Sequence, residues 1–201
     1  MNIEDIKQNY YFETLTQNHD LSEFDCGDED LNDFLKNDAL TLQKSNLSLT
    51  KLVIYNEKII GYASLLTDTL IIRNIREDNI KLDIKNQLGI TSKNKLTPAV
   101  KIGRLALDKK FTGKGLGTHI LRNILANLKE MSNTKVGFRF IIVEGYAKAL
   151  NFYVSRNGFK SLKKDDEKIN NIEFISKRDP TKRFYLYFDL NRFDEIKFNE
   201  K

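Results

Sequence analysis

In the first half of the chain, the order of apolar and polar positions predicts a strand, a helix and a β-hairpin. Apolar residues around Phe12–Leu15 indicate a short strand. Residues 28–39 begin with a cluster of acids and continue with apolar residues at helical spacing, so the acids occupy the first turn of a predicted helix. Two apolar runs within residues 51–66 flank Asn56 and Glu57, a pattern typical of two strands joined by a tight turn.

The second half of the chain predicts two successive strand and helix pairs. Residues 99–107 form an apolar strand, and a loop that contains three glycines leads from it into a helix whose apolar stripe spans 116–131. The apolar run 137–143 predicts another strand. The spacing of apolar residues over 147–154 predicts a helix that Gly158 would close in the left-handed conformation.

The remaining segments complete the predicted fold. Residues 67–97 mix several periodicities and are predicted to be an excursion of short helices or loops, whereas 172–176 and 184–190 flank a polar turn and predict a terminal hairpin. The chain has two prolines, no repeat and no linker-like stretch, so we expect a single domain over residues 1–201. These elements predict an α/β (α+β) fold with helices on both faces of a mixed sheet.

The composition narrows the class of protein. A chain of 201 residues with 40% hydrophobic content is long enough for one compact core. No run approaches the roughly 18 to 20 apolar residues of a membrane span, and the N-terminal residues are acidic and polar, so we expect a soluble cytoplasmic protein. The single Cys26 excludes an intrachain disulfide, and with only two histidines we expect no structural metal.

Charge is divided unevenly along the chain. Residues 1–40 carry 2 basic and 11 acidic side chains, while residues 101–160 carry 12 basic and 3 acidic ones. One interpretation is that these lysines and arginines only solvate exposed faces. The other is an anion-binding segment that attracts a phosphate-bearing cofactor, a nucleic acid or an acidic partner. Candidates for a phosphate-tracking face are Arg122, Lys129, Lys135 and Arg139.

The loop Thr112-Gly-Lys-Gly-Leu-Gly117 is the clearest chemical motif. It fits neither of two common nucleotide-binding motifs: the dinucleotide motif would need a glycine where Thr118 stands, and the P-loop would need a Gly-Lys pair at its end. Glycines that open a helix let backbone N–H groups approach a phosphate at the positive helix end. The loop therefore predicts a pyrophosphate cradle. Its residues are Thr112, Gly113, Lys114, Gly115, Leu116, Gly117 and Thr118.

Three segments resemble a known enzyme family. Arg104-Leu-Ala-Leu-Asp108, the glycine loop and Ala149-Leu-Asn-Phe-Tyr-Val-Ser-Arg-Asn-Gly-Phe159 are similar to the acyl-CoA-binding and catalytic segments of GNAT-superfamily N-acetyltransferases. Residues 19–35 resemble the N-terminal signature of a subfamily that includes toxins acetylating aminoacyl-tRNA. The resemblance implies a mostly antiparallel mixed sheet with a splayed central strand pair, acetyl-CoA as the acetyl donor, and a ribbon-helix-helix antitoxin or a second copy of the chain as a partner.

The resemblance also implies roles for residues near the cofactor. The family's cradle pattern is Gln/Arg-x-x-Gly-x-Gly/Ala, and Gly115 and Gly117 match it, whereas Thr112 replaces the Gln or Arg. That departure shifts the expected pyrophosphate contacts toward backbone amides and the lysines at 109, 110 and 114. Asn151 matches a position that commonly touches the cofactor. The backbone of Leu105, Ala106 and Leu107 would run along the pantetheine arm.

Acetyl transfer to an amine needs an acid for the departing thiolate and a group that handles the amine. Tyr153 matches the family's tyrosine and is the expected acid, and Glu144 could orient or deprotonate the amine. The alternatives are that Tyr153 is a core aromatic like its neighbour Phe152, and that Glu144 is a solvated or capping carboxylate. A Cys26–His19 nucleophile is disfavoured because a lone cysteine is commonly a small buried hydrophobe. His119 is expected to have no catalytic role.

Three functions remain open, and the first two differ in the acceptor of the acetyl group. The amine of an aminoacyl-tRNA is supported by the N-terminal signature and the basic segment. In the second function, the acceptor is a small amine or a protein amine. The third is a non-catalytic module that binds acyl-CoA or a partner, which would be indicated by loss of the tyrosine or the glycines, and both are retained here.

Overall fold

The computed structural model describes residues 2–75, 78–88, 96–162 and 171–198. Within these ranges the strands are β1 (Tyr11–Thr14), β2 (Leu49–Tyr55), β3 (Lys58–Ile71), β4 (Leu96–Leu107), β5 (Phe140–Tyr146), β6 (Lys160–Ser161) and β7 (Arg183–Asp189). The α-helices are α1 (Ile3–Asn9), α2 (Glu29–Asp33), α3 (Ala39–Lys44), α4 (Asp78–Leu88), α5 (Leu116–Thr134) and α6 (Ile172–Arg178). Wider π-helical turns occupy Phe34–Asp38 and Asn151–Arg156.

The strands form one sheet in the order β1-β2-β3-β4-β5-β7-β6, mostly antiparallel with one parallel pair. The predicted α/β fold with a mixed sheet is therefore confirmed. By its internal packing the chain divides into two compact units: of the described residues, the first contains those up to Thr67 and Ile102–Leu121, and the second contains those between Asp68 and Lys101 and between Arg122 and Phe198. The single domain over 1–201 and the splayed strand pair stay predictions.

In the first unit, the predicted hairpin is confirmed as β2 and β3. Asn56 and Glu57 both adopt left-handed backbone conformations, with φ of 47° and 60°, as a two-residue hairpin turn requires. The predicted N-terminal strand is β1, which pairs antiparallel with β2. Tyr62 of β3 is fully buried, and its hydroxyl donates to the carbonyl of Leu31 at 2.7 Å, so the hairpin is tied to the helix that covers it.

The helix predicted over 28–39 begins as expected. The side chain of Asp28 accepts a hydrogen bond from the N–H of Leu31 and caps α2, which continues through the π-helical turn into α3. Helix α1, which precedes β1, was missed by the sequence analysis. Its seven residues bury only Ile3 and Ile6, too few apolar positions to show a period.

In the second unit, β5 pairs antiparallel with β7 along its whole length. The strand predicted at 137–143 starts at Phe140 and runs on to Tyr146, because its buried residues continue past Val143. Alternation along β5 sends Phe140 and Ile142 into a cluster with residues of α4, while Ile141, Val143 and Gly145 face the other side.

Two sequence predictions in this unit need correction. Residues 172–176 do not form a hairpin strand but belong to helix α6, because Asn171 caps it by accepting from the N–H of Phe174 at 3.0 Å. The other hairpin strand, predicted at 184–190, is confirmed as β7. The excursion predicted at 67–97 contains helix α4, but its first residues, up to Ile71, continue β3, and residues 89–95 lie outside the described residues.

Candidate active site

The glycine loop adopts a backbone conformation that suits an anion. Gly113, Lys114 and Gly115 are three consecutive residues with positive φ, at 81°, 53° and 77°, and they immediately precede the 19-residue helix α5. Turns of this kind, followed by a helix, aim successive backbone N–H groups into one concavity. A Cβ on Gly113 would meet nothing within 4 Å, so backbone conformation and not crowding favours glycine there.

The start of this loop is anchored by Asp108, a buried carboxylate that follows β4. It accepts the backbone N–H of Asp25 at 3.1 Å and that of Lys110 at 2.9 Å, and its own N–H donates to the carbonyl of Ile60 at 2.9 Å. Thr112 donates its hydroxyl to the carbonyl of Lys109 at 2.9 Å, so the residue at the departure from the family pattern stabilises the loop internally.

Asp25 joins the N-terminal signature to the same loop. Its carboxylate forms an ion pair with Lys109 and accepts from the N–H of Gly27 at 2.8 Å and from the side chain of Asn32 at 2.9 Å. The hydrogen bond from Lys109, with the two others, holds the pKa of Asp25 well below its usual range, and the same pair raises the pKa of Lys109. Sequence analysis missed this link because Asp25 and Lys109 lie 84 positions apart.

Cys26 and His19 have separate partners. The thiol of Cys26 donates to the carbonyl of Asp28 at 3.5 Å, and burial raises its pKa. The ring of His19 accepts from the N–H of Thr16 at 3.0 Å and faces Glu13 at 3.4 Å. A raised pKa opposes thiolate formation, in line with the sequence analysis that disfavoured a Cys–His nucleophile.

The expected acid, Tyr153, lies in the second π-helical turn and is buried among aromatic rings. Its ring centre is 5.0 Å from that of Phe152 and 5.4 Å from that of Phe159. It also packs on Gly145 of β5, where a Cβ would come within 3.2 Å of the ring. Burial raises the pKa of the Tyr153 phenol, so its acid form persists to higher pH than that of an exposed tyrosine. Gly158, with φ of 71°, closes this turn as predicted.

Glu144 is held by two cations. Its Oε2 lies 3.2 Å from Nζ of Lys101, and its Oε1 lies 3.8 Å from the guanidinium of Arg183. Glu144 and Gly145 are consecutive in β5 and therefore point to opposite faces of the sheet, which places Glu144 on the face away from Tyr153. The structure thus does not bring the two predicted catalytic side chains into direct contact.

The other predicted cofactor residues fall into both units. In the first, Leu105, Ala106 and Leu107 end β4 directly before Asp108. A Cβ on Gly61 of β3 would lie 2.8 Å from the carbonyl oxygen of Ala106, so only glycine lets the strands approach this closely. In the second, Asn151 is exposed at the start of the π-helical turn.

The predicted phosphate-tracking face is wrong for Arg139. Its side chain is only 14% exposed and lies between Asp83, at 2.8 Å, and Asp189, at 2.9 Å. Burial alone would lower the pKa of this guanidinium, but the two carboxylates more than offset it and raise the pKa. Lys129 forms an ion pair with Asp194, so part of the counted basic charge is already paired within the protein.

Comparison with known proteins identifies the family. The sequence pattern of the acetyltransferase (GNAT) family matches residues 8–159. The chain belongs to the GNAT family of acetyltransferases. A curated relative in this comparison, a tRNA-acetylating toxin of Mycobacterium tuberculosis (strain ATCC 25618 / H37Rv), is 24% identical over 136 residues, covering 67% of this chain and 75% of that protein.

Solved structures show the same GNAT fold. A point mutant of KacT matches with a TM-score of 0.71 and 21% identity, covering 94% of this chain and 99% of that one. AtaT complexed with acetyl-methionyl-tRNAfMet also matches with a TM-score of 0.71, at 23% identity, covering 93% and 98%. AtaTR bound with acetyl-CoA matches with a TM-score of 0.65 and 24% identity, covering 94% and 98%.

Two features are absent from the residues that the structure describes. They contain no helix that is both long and apolar enough to pass through a membrane. Over the same part of this GNAT chain, no group of three or more His, Cys, Asp or Glu residues could hold a metal ion.

Proposed function

We propose that this GNAT enzyme transfers the acetyl group of acetyl-CoA directly to the amino group of an aminoacyl-tRNA in the cytoplasm. The family supplies the reaction type. The observation that carries the proposal is the run of three left-handed residues, Gly113 to Gly115, at the positive end of α5. The acceptor follows from the toxin-like signature and from relatives that are described as acetylating or binding tRNA.

The residues present fit acetyl-CoA. Backbone N–H groups of residues 113–118 would bind the pyrophosphate, since the left-handed run at 113–115 directly precedes the positive end of α5. Leu105, Ala106 and Leu107 would pair with the pantetheine arm through their backbone, and Asn151 would contact the cofactor through its amide. When bound, acetyl-CoA supplies the acetyl group as an activated thioester.

Tyr153 then acts as the general acid. Its phenol carries a proton at neutral pH, as burial only raises its pKa further, and it donates that proton to the departing sulfur. Glu144 orients the acceptor amine by accepting a hydrogen bond. Its two cation partners, Lys101 and Arg183, leave room for this because a carboxylate offers about four lone-pair positions.

The same resemblance extends the proposal to partners. AtaT has been solved with the C-terminus of the antitoxin AtaR. We infer for this chain a ribbon-helix-helix antitoxin that suppresses its activity, and self-association as a homodimer.

Transfer of radiolabelled acetyl groups tests the function. Aminoacyl-tRNA, uncharged tRNA and polyamines are offered as acceptors with labelled acetyl-CoA across a series of salt concentrations. Label is expected on the aminoacyl group alone, and its rate should fall steeply with salt because phosphate contacts release counterions. Label on polyamines without any on tRNA would replace this proposal with a small-amine acetyltransferase. No label on any acceptor, with acetyl-CoA still bound, would indicate a binding module.

A further inference from the structure

One end of the β5–β7 pair gathers cations and aromatic rings on a single face. In the register of this pair, Glu144 lies opposite Tyr185, and Tyr146 lies opposite Arg183. Residues directly opposite each other in an antiparallel pair point to the same face, and so do residues two apart in one strand. We call this set of residues the strand-end surface: Lys101, Glu144, Tyr146, Lys148, Arg183 and Tyr185.

Its cations lie over its rings. The guanidinium carbon of Arg183 is 5.4 Å from the ring centre of Tyr146, and Nζ of Lys148 is 5.5 Å from the same ring. Nζ of Lys101 is 5.9 Å from the ring centre of Tyr185. At these distances a cation is attracted by the ring face, so the aromatic side chains hold the charges in defined positions.

The strand-end surface is positive and open to solvent. It carries three cations and one carboxylate, Glu144, which pairs with Lys101 and Arg183. The Arg183 side chain is 56% exposed, and Lys148 is exposed as well. The backbone N–H of Lys148 donates to the carbonyl of Pro180 at 3.2 Å, which fixes the turn after β5 to the segment before β7. In contrast to Arg139, Lys148 and Arg183 face solvent.

We propose that the strand-end surface binds the unpaired terminal nucleotides of the RNA that carries the acceptor amine. Arg183, supported by the ring of Tyr146, presents a flat guanidinium on which a base can stack. Lys148 neutralises a neighbouring phosphate. A base stacked on a planar group beside a phosphate-binding cation is characteristic of single-stranded nucleic acid. The inference rests on the proposed aminoacyl-tRNA acceptor and assigns its recognition to named residues.

A binding experiment without acetyl transfer tests the phosphate contacts. The probe is a fluorescein-labelled single-stranded RNA of eight nucleotides, followed by anisotropy from low to physiological salt. Lys148→Glu should weaken binding and lower the slope of log K against log salt by about 0.7, the value for one phosphate of a single strand. Lys58→Glu, the same charge change at the exposed first residue of β3, should leave the slope unchanged. Equal effects at Lys58 and Lys148 would overturn the proposal.

Arg183 separates stacking from charge. Removal of one stacking contact should weaken binding of the same RNA about 10-fold in Arg183→Ala, and Arg183→Lys, which keeps the charge but not the plane, should recover only part of it. Full recovery by lysine, or equal affinity for a blunt RNA duplex, would contradict a site for unpaired bases.

The two proposals fail in different ways. If aminoacyl-tRNA is acetylated at the wild-type rate by Lys148→Glu and Arg183→Ala, the strand-end surface is excluded while the function stands. If the surface binds single-stranded RNA but no aminoacyl group is labelled, the acetyl acceptor is wrong.

Discussion

At the scale of single residues, the proposed acid catalysis depends on whether the phenol of Tyr153 carries a proton before the reaction. Rings of Phe152 and Phe159 and the backbone of Gly145 enclose it and raise its pKa. A phenol exposed to water would already titrate near pH 10. The phenol is therefore protonated over the physiological range in either environment, and burial extends the acid form to higher pH.

Replacing Tyr153 by Phe keeps the ring packing and removes the proton. We expect turnover to fall by about 10² to 10⁴ while the affinity for acetyl-CoA stays unchanged, because general acid catalysis contributes that much. Single-turnover release of CoA thiol, together with calorimetric titration of acetyl-CoA, measures the two quantities.

Tyr55→Phe is the matched control, because this tyrosine hydrogen-bonds Asp5 in the first unit and has no part in the proposed chemistry. Its turnover should equal that of the wild type. If Tyr153→Phe also turned over at the wild-type rate, Tyr153 would be a core aromatic and the acid would have to be sought elsewhere.

At the scale of elements, the turn before α5 depends on glycine at a left-handed position. Gly115→Ala places a Cβ at φ of 77°, which should cost roughly 1 to 2 kcal/mol in the free energy of unfolding and obstruct the approach of a phosphate. We expect the affinity for acetyl-CoA to fall by about 10-fold or more, as measured by calorimetry. Gly137→Ala, in open space and without a positive φ, should change neither quantity. If folded Gly115→Ala bound acetyl-CoA as tightly as the wild type, the proposed pyrophosphate cradle would be contradicted.

The junction of β4 with this loop depends on Asp108. Asp108→Ala would leave the N–H groups of Asp25 and Lys110 without their acceptor, and hydrogen bonds to a charged group contribute about 1.5 to 3 kcal/mol each. We expect the free energy of unfolding in urea to fall by at least 2 kcal/mol and the KM for acetyl-CoA to rise. Asp194→Ala, which removes an 80% exposed carboxylate, should stay within about 0.5 kcal/mol of the wild type. A similar small change for Asp108→Ala would show that the loop does not need this anchor.

Elements whose pattern is complete within a few neighbouring residues were predicted well from the sequence. The hairpin at Asn56-Glu57 and the stripe of α5 each follow from residues a few positions apart. Helix α6 was mistaken for a strand because Ile172, Phe174 and Ile175 fit either period over five residues, and only the cap at Asn171 decides between them. The contact of Asp25 with Asp108 had no local signal, since the fold alone joins positions 83 apart.

At the scale of the whole molecule, two buried phenols make stability depend on alkaline pH. Burial raises the pKa of both Tyr62 and Tyr153 above the value near 10 that they have in the unfolded chain. Their contribution is therefore fully present below pH 10. It is lost as the pH rises further, because the unfolded state then releases protons that the folded state keeps.

We expect the free energy of unfolding to fall above pH 10 by up to about 1.4 kcal/mol per pH unit for each of these tyrosines. Urea unfolding between pH 8 and pH 11 measures the slope. In the double variant Tyr62→Phe/Tyr153→Phe, the free energy of unfolding should fall less steeply with pH than in the wild type. This variant should also lose some stability at neutral pH, because the Tyr62 hydrogen bond is missing. Identical slopes in the two proteins would contradict the assignment.

The two outermost strands of the sheet are its shortest: β1 has four residues and β6 has two. An outer strand exposes unpaired backbone donors and acceptors, and a long one invites other chains to add a strand and polymerise. Edges of four and two residues offer such a chain very few hydrogen bonds. The protein should therefore resist amyloid-like assembly at high concentration. A partner that inhibits the protein should bind through side-chain contacts and should not add a strand to the sheet.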